Sequence, residues 1–525
     1  MDSHILTEHD ALDVAIIYSP YESAQIVSIS KDEALKIEGV HSVITAEDIP
    51  GENNILGNCG KCRLFAEGEV EYRGQILAAV LAENLEIAKQ AMPFVFVEYK
   101  PLPPVIGIEE AVIFNNEHKN LKEYELIDQG VSSDELKYVE INHSVPEYKS
   151  EKGQLPVVAE PDVGGGVTIY ANNFDSKIYA SSLEVLLSLE SDKIIFKSSY
   201  DSSSCVPFDL SDLSICGLAS VCALCSKRKV MISSDYSQSA PKRLRHGEIG
   251  MVSTVGYESD CKIRSVKLRM KLDCGSQPGT SSELWLGFLN VINQLNHCSI
   301  YDLICNRCKT NAAPNGSNVY DGSWIGLLVL EEAFRQIALE SSKTLSEVRH
   351  NNVPIHDSLA KLEAIYKERK QSVKKDNGLN EGLKRGVHLI YLTTSNCRDS
   401  QNFGDNLTGA ALTEVELDSN NKSIRLIYSN IIQQIDSSVS KNTQKASAVS
   451  SFISGVGKTS GFDKNNLGDA IKESSFTQIF PDELFCYTIP GNNSSLMIPY
   501  CLSLSVYFAI CDALEEFDGE FKHLD

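Results

Sequence analysis

The first residues, Met-Asp-Ser-His-Ile-Leu-Thr-Glu-His-Asp, lack both the basic start and the apolar core of a secretion signal, so the expected location is the cytoplasm. Positive charge is scarce. The chain of 525 residues carries 48 Lys and Arg against 71 Asp and Glu, a formal charge of −23. Such a surface stays soluble and repels phosphate backbones, which argues against nucleic acid and anionic membrane as partners. No apolar run reaches the ~20 residues of a bilayer span. The most apolar late stretch, Leu496 to Leu514, contains Pro499 and Asp512 and reads as a buried strand or helix. The histidines are scattered, so no Ser-His-Asp constellation can be argued, and no internal repeat is found.

What is present is a globular composition, 42% hydrophobic and 23% charged, in a chain too long for one ordinary core. Fifteen cysteines, an odd number without a secretion signal, imply reduced thiols. They include three Cys-x-x-Cys pairs: Cys59/Cys62, Cys222/Cys225 and Cys305/Cys308. Two such pairs suit tetrahedral zinc, but structural sites space them by ~15–20 residues. Here the gaps are far larger and no histidine stands at ligand spacing, so no metal ligands are assigned. Cys59-Gly60-Lys61-Cys62 also has redox-dithiol spacing, yet it reads as a loop and not as a helix start that would stabilise a thiolate. Cys222 and Cys225 fall in an apolar helix, where cysteine packs as a small hydrophobe. Gly455-Val456-Gly457-Lys458-Thr459 has the ending of a phosphate loop, but Phe452 stands where that loop needs its first glycine. Gly164-Gly165-Gly166 reads as a hairpin turn.

Periodicity and punctuation give an α/β unit over residues 1–105. Strands are expected at Val14 to Tyr18, Gln25 to Ile29, His41 to Thr45, Gln75 to Leu81 and Val95 to Tyr99. One helix should begin at Ser30, with Glu33 completing a capping box and Gly39 ending it; a second uses Leu85, Ala88 and Met92 and stops at Pro93. Polar residues 106–150 read as a linker. Residues 151–355 and 386–525 read as two parts of a second domain, joined by a charged linker at 356–385 that starts as a helix. Serine-rich residues 436–460 have little power to build a core. Asp418-Ser419-Asn420-Asn421 between two apolar runs signals a hairpin.

Several segments together resemble one family. Gly39 to Gly51 (GVHSVITAEDIPG), Leu64 to Val70, Gly74 to Val80 (GQILAAV) and Glu98 to Pro104 (EYKPLPP) are similar to the hammerhead domain that begins the molybdenum half of xanthine dehydrogenases and aldehyde oxidases. Later islands keep the family's order: Gly153-Gln154 to Glu160-Pro161, Arg245-His246-Gly247, Cys308 to Asn311, Ala411 to Leu417 and Ser505 to Ile510 (SVYFAI). The resemblance implies an α+β fold, an α/β hammerhead domain followed by a reduced molybdopterin-binding-type domain. It implies molybdopterin as cofactor, Gln154 beside the molybdenum, and a homodimer. It supplies no FAD or 2Fe-2S domain in this chain.

The departures concern the chemistry. The family's glycine-rich pterin loop is here Ser198 to Cys205 (SSYDSSSC), where side chains replace glycines that let backbone amides approach a phosphate. The family's substrate arginine falls near Val319-Tyr320-Asp321-Gly322, and its Met-Gly-Gln-Gly loop has no counterpart. Counting back from Ser505-Val506 puts Met497 where the family has its glutamate base, and a thioether takes no proton. Three readings follow: a degenerate, catalytically inactive member of the family; a molybdopterin-dependent oxidoreductase hydroxylating aldehydes or N-heterocycles with flavin and iron–sulfur domains supplied elsewhere; or a thiol or zinc protein. No residue is assigned as catalytic.

Overall fold

The computed structural model describes residues 11–126, 136–149, 156–171, 176–197, 210–233, 245–353, 360–380, 382–395, 406–421, 423–436, 441–462, 475–478, 480–491 and 497–516. The chain is α+β and divides around two large cores.

The first core is built on a seven-stranded mixed sheet in the order Ile194–Lys197, Val167–Tyr170, Val157–Pro161, Val230–Ile232, Leu12–Tyr18, Ile76–Ala82 and Val40–Ile44. Ile76–Ala82 is buried along its whole length, as a run of apolar residues in a central strand requires. The sheet runs through residue 105: Leu12 and Asp13 pair in parallel with Val230 and Met231. The helix Leu210–Ser226 lies against it with eleven buried residues, among them Cys222. Beside this sheet a three-stranded one, Glu69–Val70, Ala24–Ser30 and Phe96–Pro101, completes the first unit.

The second core joins a five-stranded sheet (Leu121–Leu126, Ile300–Cys308, Ile263–Asp273, Ile249–Tyr257, Lys137–Val145) to a sheet of three long antiparallel strands, Leu383–Ser395, Asn406–Asp418 and Ser423–Asp436. Glu483–Gly491 pairs in parallel with the last of these. Between the sheets pack the helices Ser281–Ile292, Val319–Ser341, Met497–Leu502 and Leu504–Glu515. Met497–Glu515, the one stretch apolar enough for a membrane span among the described residues, is 89% buried inside the protein and is a core element.

Most expected elements are present, including the hairpin at Asp418, whose Oδ1 accepts the amides of Asn420 and Asn421; the helix Val319–Ser341 buries a face through Leu327, Leu330, Phe334 and Ile337. The triglycine is a turn: the Asp162 amide donates to Gly166 at 2.8 Å, and Gly165 has φ +81°.

Three expectations are corrected. The helix from Ser30 to Gly39 is only a short 3-10 turn, Ala34–Lys36, and Glu33 pairs with Lys36 instead of capping. The capping box of this region lies at Thr45 and Asp48. Residues 106–150 are no simple linker: they hold the helix Gly107–Ile113 and the strands Leu121–Leu126 and Lys137–Val145. Val139, Ile141 and Val145 alternate into the core while the charged residues between them face out. The serine-rich stretch forms the helix Lys441–Phe462, with Phe452 and Val456 fully buried. A Cβ on Gly455 would stand 2.3 Å from Ser503 Oγ and 2.5 Å from the Tyr500 carbonyl, so this glycine lets two helices touch; it belongs to no phosphate loop.

Candidate functional site

The helix Val319–Ser341 begins with a capping box. Asn318 Oδ1 accepts the amides of Tyr320 (2.8 Å) and Asp321 (3.3 Å), and Asp321 Oδ2 accepts the Asn318 amide at 2.9 Å. A carboxylate in a first helical turn is favoured by the exposed amides and the helix dipole. The Asn318-x-x-Asp321 spacing was readable in the sequence as this signature.

Asp321 is 2% exposed, and its other oxygen is engaged as well. Tyr500 donates its hydroxyl to Asp321 Oδ1 at 2.8 Å, and His246 Nδ1 lies 3.3 Å from Oδ2 and 3.1 Å from Ser317 Oγ. Tyr500 stands one turn after Met497 on the helix Met497–Leu502. Met497 is itself buried, with its sulfur 3.2 Å from Ser323 Oγ, which lies 3.1 Å from the Gly287 carbonyl. Gly322 permits this packing, because a Cβ there would stand 1.8 Å from the Leu284 carbonyl. The helix starts at 319 and 497 are thereby locked together.

The segment leading into this lock is fixed by a buried ion pair. Arg245 bonds Asp273, reaches Glu147 at 2.7 Å, and donates to the Ala313 carbonyl at 3.2 Å. Asp273 Oδ1 also accepts from Thr310 Oγ1 at 2.6 Å and the Gly275 amide at 2.9 Å. Asn311 carries the tether to the first unit: its Oδ1 accepts the Val105 amide and its Nδ2 donates to the Glu71 carbonyl, both at 2.8 Å. The Cys308-to-Asn311 motif therefore joins the two units.

Behind the lock lies a charge network that pattern reasoning missed, because its members are far apart in sequence. Glu331 bonds Arg349 through both carboxylate oxygens and lies 2.9 Å from His388 Nε2; His388 Nδ1 lies 3.1 Å from Asp512, which meets Arg335 at 3.3 Å. Burial alone would raise the Glu331 carboxyl, but the Arg349 charge and the bond to His388 overcome it and hold it down at about 2. Asp512 is lowered in the same way, by His388 and Arg335 against its burial. The acids near the C-terminus are thus committed to this network: Glu515 also bonds Arg335, at 2.6 Å.

Among the described residues the cysteines do not gather into a metal site. Cys62, Cys222, Cys305 and Cys308 are buried, and among the described residues no group of three or more His, Cys, Asp or Glu side chains is placed to hold a metal. Burial, together with Glu71, pushes the Cys62 thiol up to about 12; burial likewise takes Cys305 to about 12 and Cys308 to about 11, far from a reactive thiolate. Gln154 and the loop Ser198 to Cys205 lie outside the described residues.

Residues 4–103 match the family model described as "Aldehyde oxidase and xanthine dehydrogenase, a/b hammerhead domain". The chain is similar to xanthine dehydrogenases and aldehyde oxidases. It is 24% identical to xanthine dehydrogenase 1 of Arabidopsis thaliana over 412 residues, 73% of this chain and 30% of that protein. It is 39% identical to aldehyde oxidase 4 of Cavia porcellus over 129 residues, 24% of this chain and 9% of that protein. The chain thus spans under a third of these relatives. In fold it is similar to the aldehyde oxidoreductase from Desulfovibrio desulfuricans (TM-score 0.79, 14% identity, 98% of this chain and 76% of that one) and to quinoline 2-oxidoreductase from Pseudomonas putida 86 (TM-score 0.72, 14% identity, 96% and 92%).

Family members bind molybdopterin. Beside that expected place the described residues are Asp321, a buried carboxylate with both oxygens engaged, and Met497, a buried thioether in contact with Ser323.

Proposed function

We propose that this chain is a catalytically inactive relative of the molybdenum hydroxylases, retained as a binding protein. The observation that carries this reading is the Asp321–Tyr500 lock beside Met497. Substrate orientation in such a site calls for a fixed cation, and proton removal from a metal-bound hydroxide calls for a carboxylate or imidazole. The positions that the family's order assigns to these tasks hold an acid sealed by a tyrosine and a side chain without a proton site.

The test is metal content by mass spectrometry, on chain purified from cells that load a control member of the family. The expected result is no molybdenum and no aldehyde oxidation with an artificial electron acceptor. Near one molybdenum per chain would overturn it. It would favour the competing reading, an oxidoreductase of aldehydes or N-heterocycles with flavin and iron–sulfur domains on other chains. Support for that reading is a fold likeness that takes in 98% of this chain at a TM-score of 0.79. It requires that Gln154→Ala lower the activity. A cytoplasmic location and a homodimer are further parts of the proposal, checked by cell fractionation and light scattering.

A further inference from the structure

A pocket of about 90 Å³ lies where the first unit meets the start of the helix Leu210–Ser226 and the segment at Ala313–Pro314. Its base is apolar: Leu64, Ile76, Leu210 and Ile215 line it and are all buried. Arg63 and Arg73 line it too, with side chains 41% and 69% exposed, so they stand where it opens to solvent.

These two arginines differ from other paired arginines among the described residues. Arg245, Arg269, Arg335, Arg349, Arg369, Arg385 and Arg425 each have a carboxylate contact at 3.1 Å or closer. Arg63 has Glu71 at 3.6 Å and Arg73 has Glu22 at 3.7 Å, each through a single nitrogen. A guanidinium carries five donors in a fork matched to a carboxylate, and close pairs sit near 2.8 Å. Both forks therefore keep most of their capacity, above an apolar cavity, in a protein of net charge −23. The first turn of the helix adds amides of the same sign, although Asp212 in that turn offsets part of their field. Ser214 spends its proton on the Leu210 carbonyl at 2.8 Å.

We propose that this pocket binds a small organic monocarboxylate. The carboxylate sits between Arg63 and Arg73 at the mouth, and the apolar body rests on Leu64, Ile76 and Ile215. A further wall of the pocket, Ala313 and Pro314, comes from the segment that leads into the second core. This site deepens the binding role proposed above but needs neither molybdenum nor its absence, so the two can fail separately.

The probe is benzoate, titrated calorimetrically into the full chain free of molybdenum, with benzyl alcohol and inorganic phosphate as controls. The expected result is one-to-one saturable binding of benzoate and none of either control. Arg73→Gln, an exposed change, should weaken benzoate binding about tenfold or more with the thermal midpoint unchanged. Glu22→Gln should tighten it, because it releases Arg73. This gain cannot come from misfolding. The proposal falls if millimolar benzoate gives no saturable heat, if benzyl alcohol or phosphate binds as tightly, or if neither substitution moves the affinity.

Discussion

Placing a glutamate at Met497 should destabilise this protein. Met497 is 5% exposed, and its sulfur meets the Ser323 hydroxyl at 3.2 Å. A glutamate placed there meets the Ser323 hydroxyl in a buried setting. Burial of this kind raises a carboxyl by about 3–5 units, to near or above neutral pH. The folded protein must then hold the acid protonated at pH 7. From an unfolded value of about 4.3, that costs about 1.36 × (7.0 − 4.3), or about 3.7 kcal/mol. The same sum at pH 5 is only about 1 kcal/mol. The sign follows from a folded pKa above the unfolded one in an acid: no penalty below the unfolded pKa, and a growing one as pH rises toward the folded value. Met497→Gln shares the polarity and size but cannot titrate. Urea unfolding of both variants at pH 5 and pH 7 isolates the charge. The stability gap between them should widen by about 2.6 kcal/mol on going from pH 5 to 7. A gap that stays constant, or closes with rising pH, would refute the reasoning. It would mean that the position accommodates a carboxylate as the family's own site does.

Four further outcomes are expected. Arg349→Met leaves Glu331 buried with half its partners and should cost about 3–5 kcal/mol by urea midpoint; adding Glu331→Met should restore much of it, since both charges are then gone. Because Glu331 is held near 2, its contribution is present above about pH 4.5 and lost as pH falls toward 2, so acid unfolding of the second core should steepen in that window and flatten in the double variant. Asn311→Ala removes two bonds between the units and should cost about 1–3 kcal/mol, with faster proteolysis near residue 105. Gly455→Leu should force apart the helices that meet at Tyr500 and Ser503, seen as loss of near-ultraviolet circular dichroism, while Ser454→Ala beside it should not.

The fold was legible wherever local signals agree. The apolar strand Ile76–Ala82, the face of the helix Val319–Ser341 and the Asp418 hairpin each state their structure within about ten residues. It was not legible where burial depends on distant partners. Lys137–Val145 looks solvated because every second residue is polar, and only its neighbour Ile249–Tyr257 makes it a strand of a sheet. The serine-rich helix Lys441–Phe462 is helical because Phe452 and Val456 find a core elsewhere. In the site, counting residues singled out Met497, which is buried against Ser323. The Tyr500–Asp321 bond was not readable, since 179 residues separate its ends. Nor was the Glu331–His388–Asp512 chain, whose members come from three separate elements.

The parallel pairing of Leu12 and Asp13 with Val230 and Met231 bears on how the polypeptide is made. The partner of the strand Leu12–Tyr18 leaves the ribosome more than two hundred residues after it. At ordinary synthesis rates that interval is about 10–40 s. Throughout it, one edge of an apolar strand stands open, able to pair with any extended segment it meets. A nascent chain of this design must keep that edge shielded until then, and a ribosome stall before residue 230 would turn a folding intermediate into a seed for aggregation.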